Sequence, residues 1–248
     1  MQNSICPKQN ILLSALPPEF YSRLLPNLEL VEMNYGQVIY ESGYEADYAY
    51  FPCTCIISKV YLIEDGASSE VALIGNEGFV GLSMLLGGGT MIHQAIVTRA
   101  GSCYRLRRKL FLQEFDLHSK NITNLAQFHL LLRYVQAMIT HITLTAACNR
   151  HHSIYQQLCR WTLMNLDRQA SNDLTVTQEH IAHMLGVRRE SITEAAGKLQ
   201  QKGLISYTRG HLKVMDRIGL EEEVCECYHV VKAETDRLSP CYTNKMAA

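Results

Sequence analysis

The stretch from Thr177 to Gly203 constrains the fold most, because its small and apolar residues fall where two short helices must cross at close range. Thr177 is placed to N-cap a first helix, Glu179 sits in the favourable first turn, and Ile181, Ala182 and Leu185 are expected to form its buried face. Gly186 then supplies the positive φ that a tight turn needs, and Ala182, four residues earlier, lets a second helix approach. Val187 fills the corner. The spacing predicts a second helix from about Arg189 that buries Ile192, Ala195, Ala196 and Leu199 and stops at Gly203, a natural C′ residue. Its other face carries Arg189, Glu190, Thr193, Glu194, Lys198 and Gln201. Polar side chains there are what reading base edges in a major groove requires.

An ordinary helical hairpin with a solvated face would show a similar pattern, but the segment after Gly203 is less common. Leu204 to Met215 is two short β-type runs joined by a glycine turn, with Arg209 and His211 at the tip and Lys213 beyond. Helix-turn-helix plus hairpin predicts a winged helix whose tip touches phosphates. Thr177, Gln178, Arg188, Lys198 and Arg209 are the expected backbone contacts, while Arg189, Glu190, Thr193, Glu194 and His211 complete the candidate DNA-binding set.

The chain has 248 residues, enough for two domains, and 47% hydrophobic residues, enough for real cores. A net charge of −1 gives no global basic signature. The case for nucleic acid is therefore local: between Asn149 and Met215 arginines and lysines outnumber carboxylates, whereas Glu221, Glu222, Glu223 and Glu226 make the next segment acidic. No basic-then-apolar leader begins the chain, and no apolar run approaches the roughly 18 to 20 residues of a membrane span, so a cytoplasmic protein away from the membrane is expected. Without a secretory leader the nine cysteines read as reduced thiols. Cys225 and Cys227, two apart on one expected helix, would point roughly 200° apart and not share an ion. Cys53 and Cys55 share a strand face without a second ligand pair nearby in sequence, and Cys148 with His152, four apart, is the best of the weak pairs. No metal site is predicted.

From Leu30 to Leu110 short β-type runs recur: Gln37 to Tyr40, Ala49 to Phe51, Ile56 to Ile63, Val71 to Ile74, Gln94 to Val97 and Cys103 to Leu106. Turn residues such as Asp65-Gly66 and Gly87-Gly88-Gly89 separate them. Before them, Ile11 to Leu30 reads as short helical turns. The runs Tyr35 to Gly43 and Gly75 to Gly81, taken with the winged helix, make nearly the whole chain resemble the cyclic-AMP receptor / fumarate-nitrate regulator (Crp/Fnr) family of transcription factors. The resemblance implies an α+β chain: an N-terminal β-roll of the cyclic-nucleotide-binding jelly-roll type (residues 1–116), a dimerisation helix (117–148) and a winged helix-turn-helix domain with a helical tail (149–248). It also implies RNA polymerase as a partner, and a half-site read through Arg189 and Glu190, with Glu194 standing where the family has an arginine.

The sensor departs from the nucleotide-binding pattern. Relatives that bind cyclic AMP carry a Gly-Glu and an Arg-Ser/Thr-Ala; here Leu82 follows Gly81, and His93-Gln94-Ala95 stands at the second motif. A buried phosphate wants a guanidinium fork or several N–H groups, which argues against cyclic AMP in the usual mode and makes His93 structural. An anion held by main-chain amides around Gly87 to Gly89 is the one alternative, and no cofactor is predicted.

From about His118 to Cys148 no proline or glycine interrupts the chain, and Leu125, Phe128, Leu132, Val135, Ile139, Ile142 and Ala146 alternate spacings of three and four. This heptad seam predicts a parallel coiled coil between identical chains, leaving Leu131, Tyr134 and Met138 to pack on the sensor. Such a helix spans about 45 Å, more than a small β domain covers. Asn149 to Ser153 reads as a hinge, Leu158, Trp161, Leu163 and Leu166 as the core face of the next helix, and Gly219 to Leu238 as one final helix. The expected function is a sequence-specific regulator of transcription, a homodimer on an inverted repeat controlled by an effector at the sensor. A constitutive DNA-binding protein with a vestigial sensor is the alternative, and a metal- or redox-responsive protein a weaker one. Nothing suggests an enzyme: no nucleophile is paired with a base.

Overall fold

A computed structural model describes residues 5–64, 66–115 and 125–239. The expected helical stretch 118–124 and the expected boundary at 116/117 lie outside them. Two short helices, α1 (Ile11–Ala15) and α2 (Pro18–Leu24), precede strands β1 (Glu29–Met33), β2 (Val38–Tyr40), β3 (Tyr48–Pro52), β4 (Ile56–Leu62) and β5 (Ser68–Ile74). Helix α3 (Leu82–Leu85), strands β6 (Gln94–Arg99) and β7 (Gly101–Arg107) and helix α4 (Arg108–Glu114) come next. The strands form two sheets, ordered β1-β7-β3 and β2-β6-β4-β5. In the first, antiparallel register sets Glu29 opposite Arg105 and Phe51 opposite Tyr104.

Helix α5 (Leu125–His151) leads to α6 (Ile154–Leu166), β8 (Asp173–Thr175), α7 (Gln178–Leu185), α8 (Arg189–Gln201), the hairpin β9 (Ile205–Thr208) and β10 (His211–Val214), then α9 (Arg217–Glu223) and α10 (Glu226–Asp236). By contacts the chain divides into two units: one built on the stretches up to Lys59 and from Ile74 to Ile139 with the chain from Glu234, the other on Val60–Leu73 and Thr140–Ala233. The division falls inside α5.

In the first unit an aromatic chain forms the core. Phe51, Phe79, Phe111 and Phe115 stack in sequence with centroids 4.7–5.6 Å apart, Tyr134 of α5 lies 5.0 Å from Phe79, and Phe20 of α2 closes the far end at 4.9 Å from Phe115. Such tilted pairs add to plain area burial. Fully buried Asn10 joins this core to the N-terminal turns: its side chain caps α1 by accepting from the Leu13 N–H and donates to the Pro52 and Gly78 carbonyls. On α5, Leu131, Tyr134 and Met138 are buried, as expected of the sensor-facing side.

In the second unit α6 buries Leu158, Trp161, Leu163 and Leu166. Three expectations are corrected here. The hinge is shorter than Asn149 to Ser153, because α5 runs on to His151 and Ser153 already caps α6 through a reciprocal bond with Gln156. The expected last helix is two, α9 and α10, because the backbone at Val224 is extended (ψ 155°). The wing is three-stranded, ordered β8-β10-β9, since Asp173–Thr175 adds along β10. No helix among the described residues is long and apolar enough to cross a membrane.

Candidate nucleic-acid interface

The reading head is built by local sterics. Thr177 N-caps α7 by accepting from the His180 N–H at 3.1 Å, and Gly186 ends the helix in the left-handed conformation at φ 65°. Ile181, Ala182 and Met184 face the core; Leu185, expected there, is only half-buried, because Met184 on the adjoining row takes the core position. His183 Nε2 hydrogen-bonds Ser68 Oγ of β5 at 2.7 Å, and a Cβ on Gly186 would lie 3.4 Å from the Ser68 carbonyl, so the turn stands close to that strand. Helix α8 packs Ile192, Ala195, Ala196 and Leu199 inward and ends with Gly203 at φ 73°.

The outer face of α8 is polar and exposed. Arg188, Arg189, Glu190, Thr193, Glu194 and Lys198 all lie on the surface. Thr193 Oγ1 donates to Gln178 Oε1 at 2.7 Å, so half-buried Gln178 links the N-terminus of α7 to the middle of α8. Arg189 reaches Glu179 at 3.9 Å, a loose pair between two exposed side chains. Glu194 and Lys198 pair at 2.7 Å one turn apart, and the lysine holds the Glu194 carboxyl below its ordinary range. The exposed face of α8 thus carries an ionised carboxylate with its own counter-ion.

At the tip of the wing Arg209 has φ 49° and Gly210 φ 82°, the two positive angles of the tight turn that suits a right-twisted hairpin. Exposed His211 approaches Asp173 of β8 at 3.7 Å, so Asp173 both pairs in the sheet and faces the tip. Sequence reasoning missed that contact: β8 is three residues long and has one buried side chain, Leu174, too little for an alternating pattern.

The expected dimer positions form a stripe along α5. Leu132, Ile139 and Ile142 are 48%, 53% and 43% exposed, Ala146 is exposed, and Phe128 and Val135 are half-buried. The side chain of Leu125 lies outside the described residues. Large aliphatic groups this open make an exposed apolar stripe.

In the sensor, His93 is buried, bonded at 3.0 Å to the Tyr40 hydroxyl, and pushed down to about 4 by burial and then by Lys59. It is neutral at pH 7 and brings no cation to a phosphate. Lys59, also buried, is pushed down to about 8 by burial. The open groove beside Tyr40 is lined by Glu41, Glu45 and Asp47 together with Tyr44, Tyr48 and Tyr50; Glu45 is paired with Arg108 at 2.9 Å, and the Arg105 guanidinium lies 4.2 Å from the Tyr48 ring centroid. Of the residues around Gly87 to Gly89, only Gly87 has a positive φ, of 80°.

The comparisons with known proteins trace the two halves of the chain. The cyclic nucleotide-binding domain family matches residues 30–118 and the Crp-like helix-turn-helix domain family residues 156–223. Among solved structures, a transcriptional regulator of the crp/fnr family from Eubacterium rectale is 14% identical with a TM-score of 0.67, covering 90% of this chain and 99% of that one. A CRP-family transcriptional regulator from Thermus thermophilus is 19% identical (TM-score 0.63; 78% and 95% covered), and the c-di-GMP-responsive regulator CLP of Xanthomonas campestris 14% (0.62; 80% and 98%). No curated protein sequence matches the chain.

Proposed function

The chain belongs to the Crp/Fnr family of transcription regulators, and from that membership we propose that two copies pair along α5 and read an inverted repeat in double-stranded DNA under the control of an effector. The single observation that carries this reading is the pairing of an exposed polar face on α8 with an exposed aliphatic stripe on α5. Two heads held by one seam reach successive major grooves roughly 34 Å apart. The dimer acts in the cytoplasm, with RNA polymerase as its further partner.

Within each half-site Arg189 donates to guanine O6 and N7 and Glu190 accepts from cytosine N4, while Arg188, Arg209 and the α7 N-terminus hold phosphates. Glu194 cannot donate to guanine, so the half-site differs from one read by an arginine at that place. The sensor answers to something other than cyclic AMP in its usual mode, because buried, neutral His93 stands where that mode needs a guanidinium fork on the phosphate. A solved neighbour of the same fold responds to a cyclic dinucleotide.

Selection from a random duplex pool by ligand-stripped protein, with and without cyclic AMP, tests the reading. An inverted repeat enriched equally in both arms is expected. Enrichment that needs the nucleotide would overturn the account of the sensor; enrichment of a single half-site would overturn the dimer. A ligand-free affinity that no small molecule alters would favour the constitutive alternative.

Two substitutions separate base reading from positioning. Arg189→Ala is expected to cost about 1–3 kcal/mol on the selected site and to relax one base position. For the wing, Arg209→Asn is the better test, since asparagine tolerates the positive φ that alanine resists. It should weaken binding to all sequences alike and reduce the salt slope by about one. Equal loss on every sequence for Arg189→Ala would remove its assignment as a base reader.

A further inference from the structure

The break between α9 and α10 has a chemical consequence. Had Gly219 to Leu238 been one helix, Cys225 and Cys227 would diverge. Because Val224 is extended, Cys225 sits in the corner between the helices and Cys227 opens α10, and both thiols turn toward the C-terminal end of α5. There they meet Cys148 and His152. Cys148 Sγ lies 3.6 Å from Cys225 Sγ, Cys227 Sγ lies 3.6 Å from His152 Nδ1, and the four ligand atoms all fall within 4.8 Å of one another. The three cysteines are buried, at 0%, 2% and 2% exposure, with Leu144 and Val224 packed against them.

We propose that Cys148, His152, Cys225 and Cys227 bind one divalent ion of the borderline-soft class, zinc(II), in a closed tetrahedral site. Around a single zinc, with Zn–S of about 2.3 Å and Zn–N of about 2.0 Å, tetrahedral angles put neighbouring sulfurs roughly 3.8 Å apart and sulfur and nitrogen roughly 3.5 Å apart. The Cys148–Cys225 and Cys227–His152 edges, 3.6 Å each, lie close to those separations. Four donors this close leave room for one ion and no more. A disulfide between Cys148 and Cys225 would account for two of the four residues and leave the convergence of Cys227 and His152 unexplained.

The surroundings fit a metal as well as the donors do. His152 turns Nδ1 to the thiols and Nε2 to the Glu226 carboxylate at 3.4 Å, so the carboxylate selects the tautomer that offers a lone pair to the ion. Gln157 Nε2 donates to the carbonyls of Cys148 and His152, fixing the turn that carries both ligands. Three thiolates and a zinc(II) carry one net negative charge. The buried guanidinium of Arg160, held by Thr145 Oγ1 at 2.8 Å and close enough to act on Cys148 and Cys227, offsets it. Binding releases the thiol protons to solvent and needs no oxidant. With four protein ligands and no open position the site is structural, tying the end of α5 and the residue that follows it to the α9–α10 corner.

The test is metal analysis of the full-length chain purified without chelator or affinity metal. About one zinc per chain is expected, with Cys6→Ser, a change at an exposed thiol that is not one of the four donors, retaining it and Cys225→Ser and Cys227→Ser each losing most of it. Should the serine variants fail to fold, cobalt(II) titration of metal-stripped wild type gives an independent reading: absorption bands of tetrahedral thiolate-bound cobalt, saturating near one equivalent, are expected. Zinc below about one tenth of an equivalent together with no such bands would overturn the site. Iron with acid-labile sulfide would overturn the mononuclear assignment, and a Cys148–Cys225 disulfide in freshly prepared protein would replace the metal by a redox pair.

Discussion

Replacing Ile139 and Ile142 together by glutamate is expected to leave a folded monomer whose affinity for the selected inverted repeat falls by roughly 10²–10⁴-fold, while its affinity for an isolated half-site stays near that of one wild-type head. Ile139 is 53% and Ile142 43% exposed within one chain, so neither side chain holds its own chain together. Substitutions at such positions ordinarily change stability by no more than about 0.5 kcal/mol. In the proposed dimer the two isoleucines are knobs in facing holes, and four carboxylates brought into that seam would lose hydration without gaining partners. The size of the effect comes from linkage: once one head is bound, the seam makes the second event intramolecular, and that advantage disappears with the seam. Sedimentation at micromolar concentration and binding to full and half sites check it. A variant that still sediments as a dimer would show that the stripe covers something other than a second copy of the chain.

Much of the reading head is legible in the sequence because its determinants are local. The Thr177 cap, the left-handed Gly186 and the inward Ile192, Ala195, Ala196 and Leu199 are set by neighbours within a few turns, and steric rules act at that range. The sensor-facing residues of α5 come from the same periodicity. What the residues do not announce is decided by partners far along the chain. Asn10 looks like an ordinary turn residue until Pro52 and Gly78 supply the carbonyls it binds. The α9–α10 break has no glycine or proline to mark it at Val224 and Cys225, so helical spacing runs straight through and predicts a relation of Cys225 to Cys227 opposite to the one observed. Their approach to Cys148 bridges 77 residues and has no signature in local spacing. Met184 and Leu185 lie on adjoining rows of one short helix, where periodicity alone does not choose between them.

Tyr134→Ala is expected to destabilise the chain by about 3–5 kcal/mol, the usual range for removing a buried aromatic side chain. For a chain of this length that is a fall of roughly 6–20 °C in Tm. The ring is 2% exposed and stacks 5.0 Å from Phe79, and its hydroxyl donates to the Phe79 carbonyl at 2.6 Å and accepts from the Phe79 N–H at 3.1 Å. Alanine therefore opens a cavity and takes a partner from two buried backbone groups at once. Tyr134→Phe separates the terms: it keeps the packing and loses only the hydrogen bonds, so it should fall well short of the alanine variant. Gly78 gives an independent approach, because a Cβ there would stand 2.6 Å from the Tyr134 ring. Gly78→Ala should displace the ring and destabilise the chain with Tyr134 itself intact. These residues join the segment after β5 to α5, the helix whose exposed stripe we propose as the dimer seam. If Tyr134→Phe lowers Tm modestly yet abolishes the response of operator binding to whatever effector selection reveals, the contact transmits the signal. If it lowers Tm and leaves that response unchanged, the contact serves the fold alone.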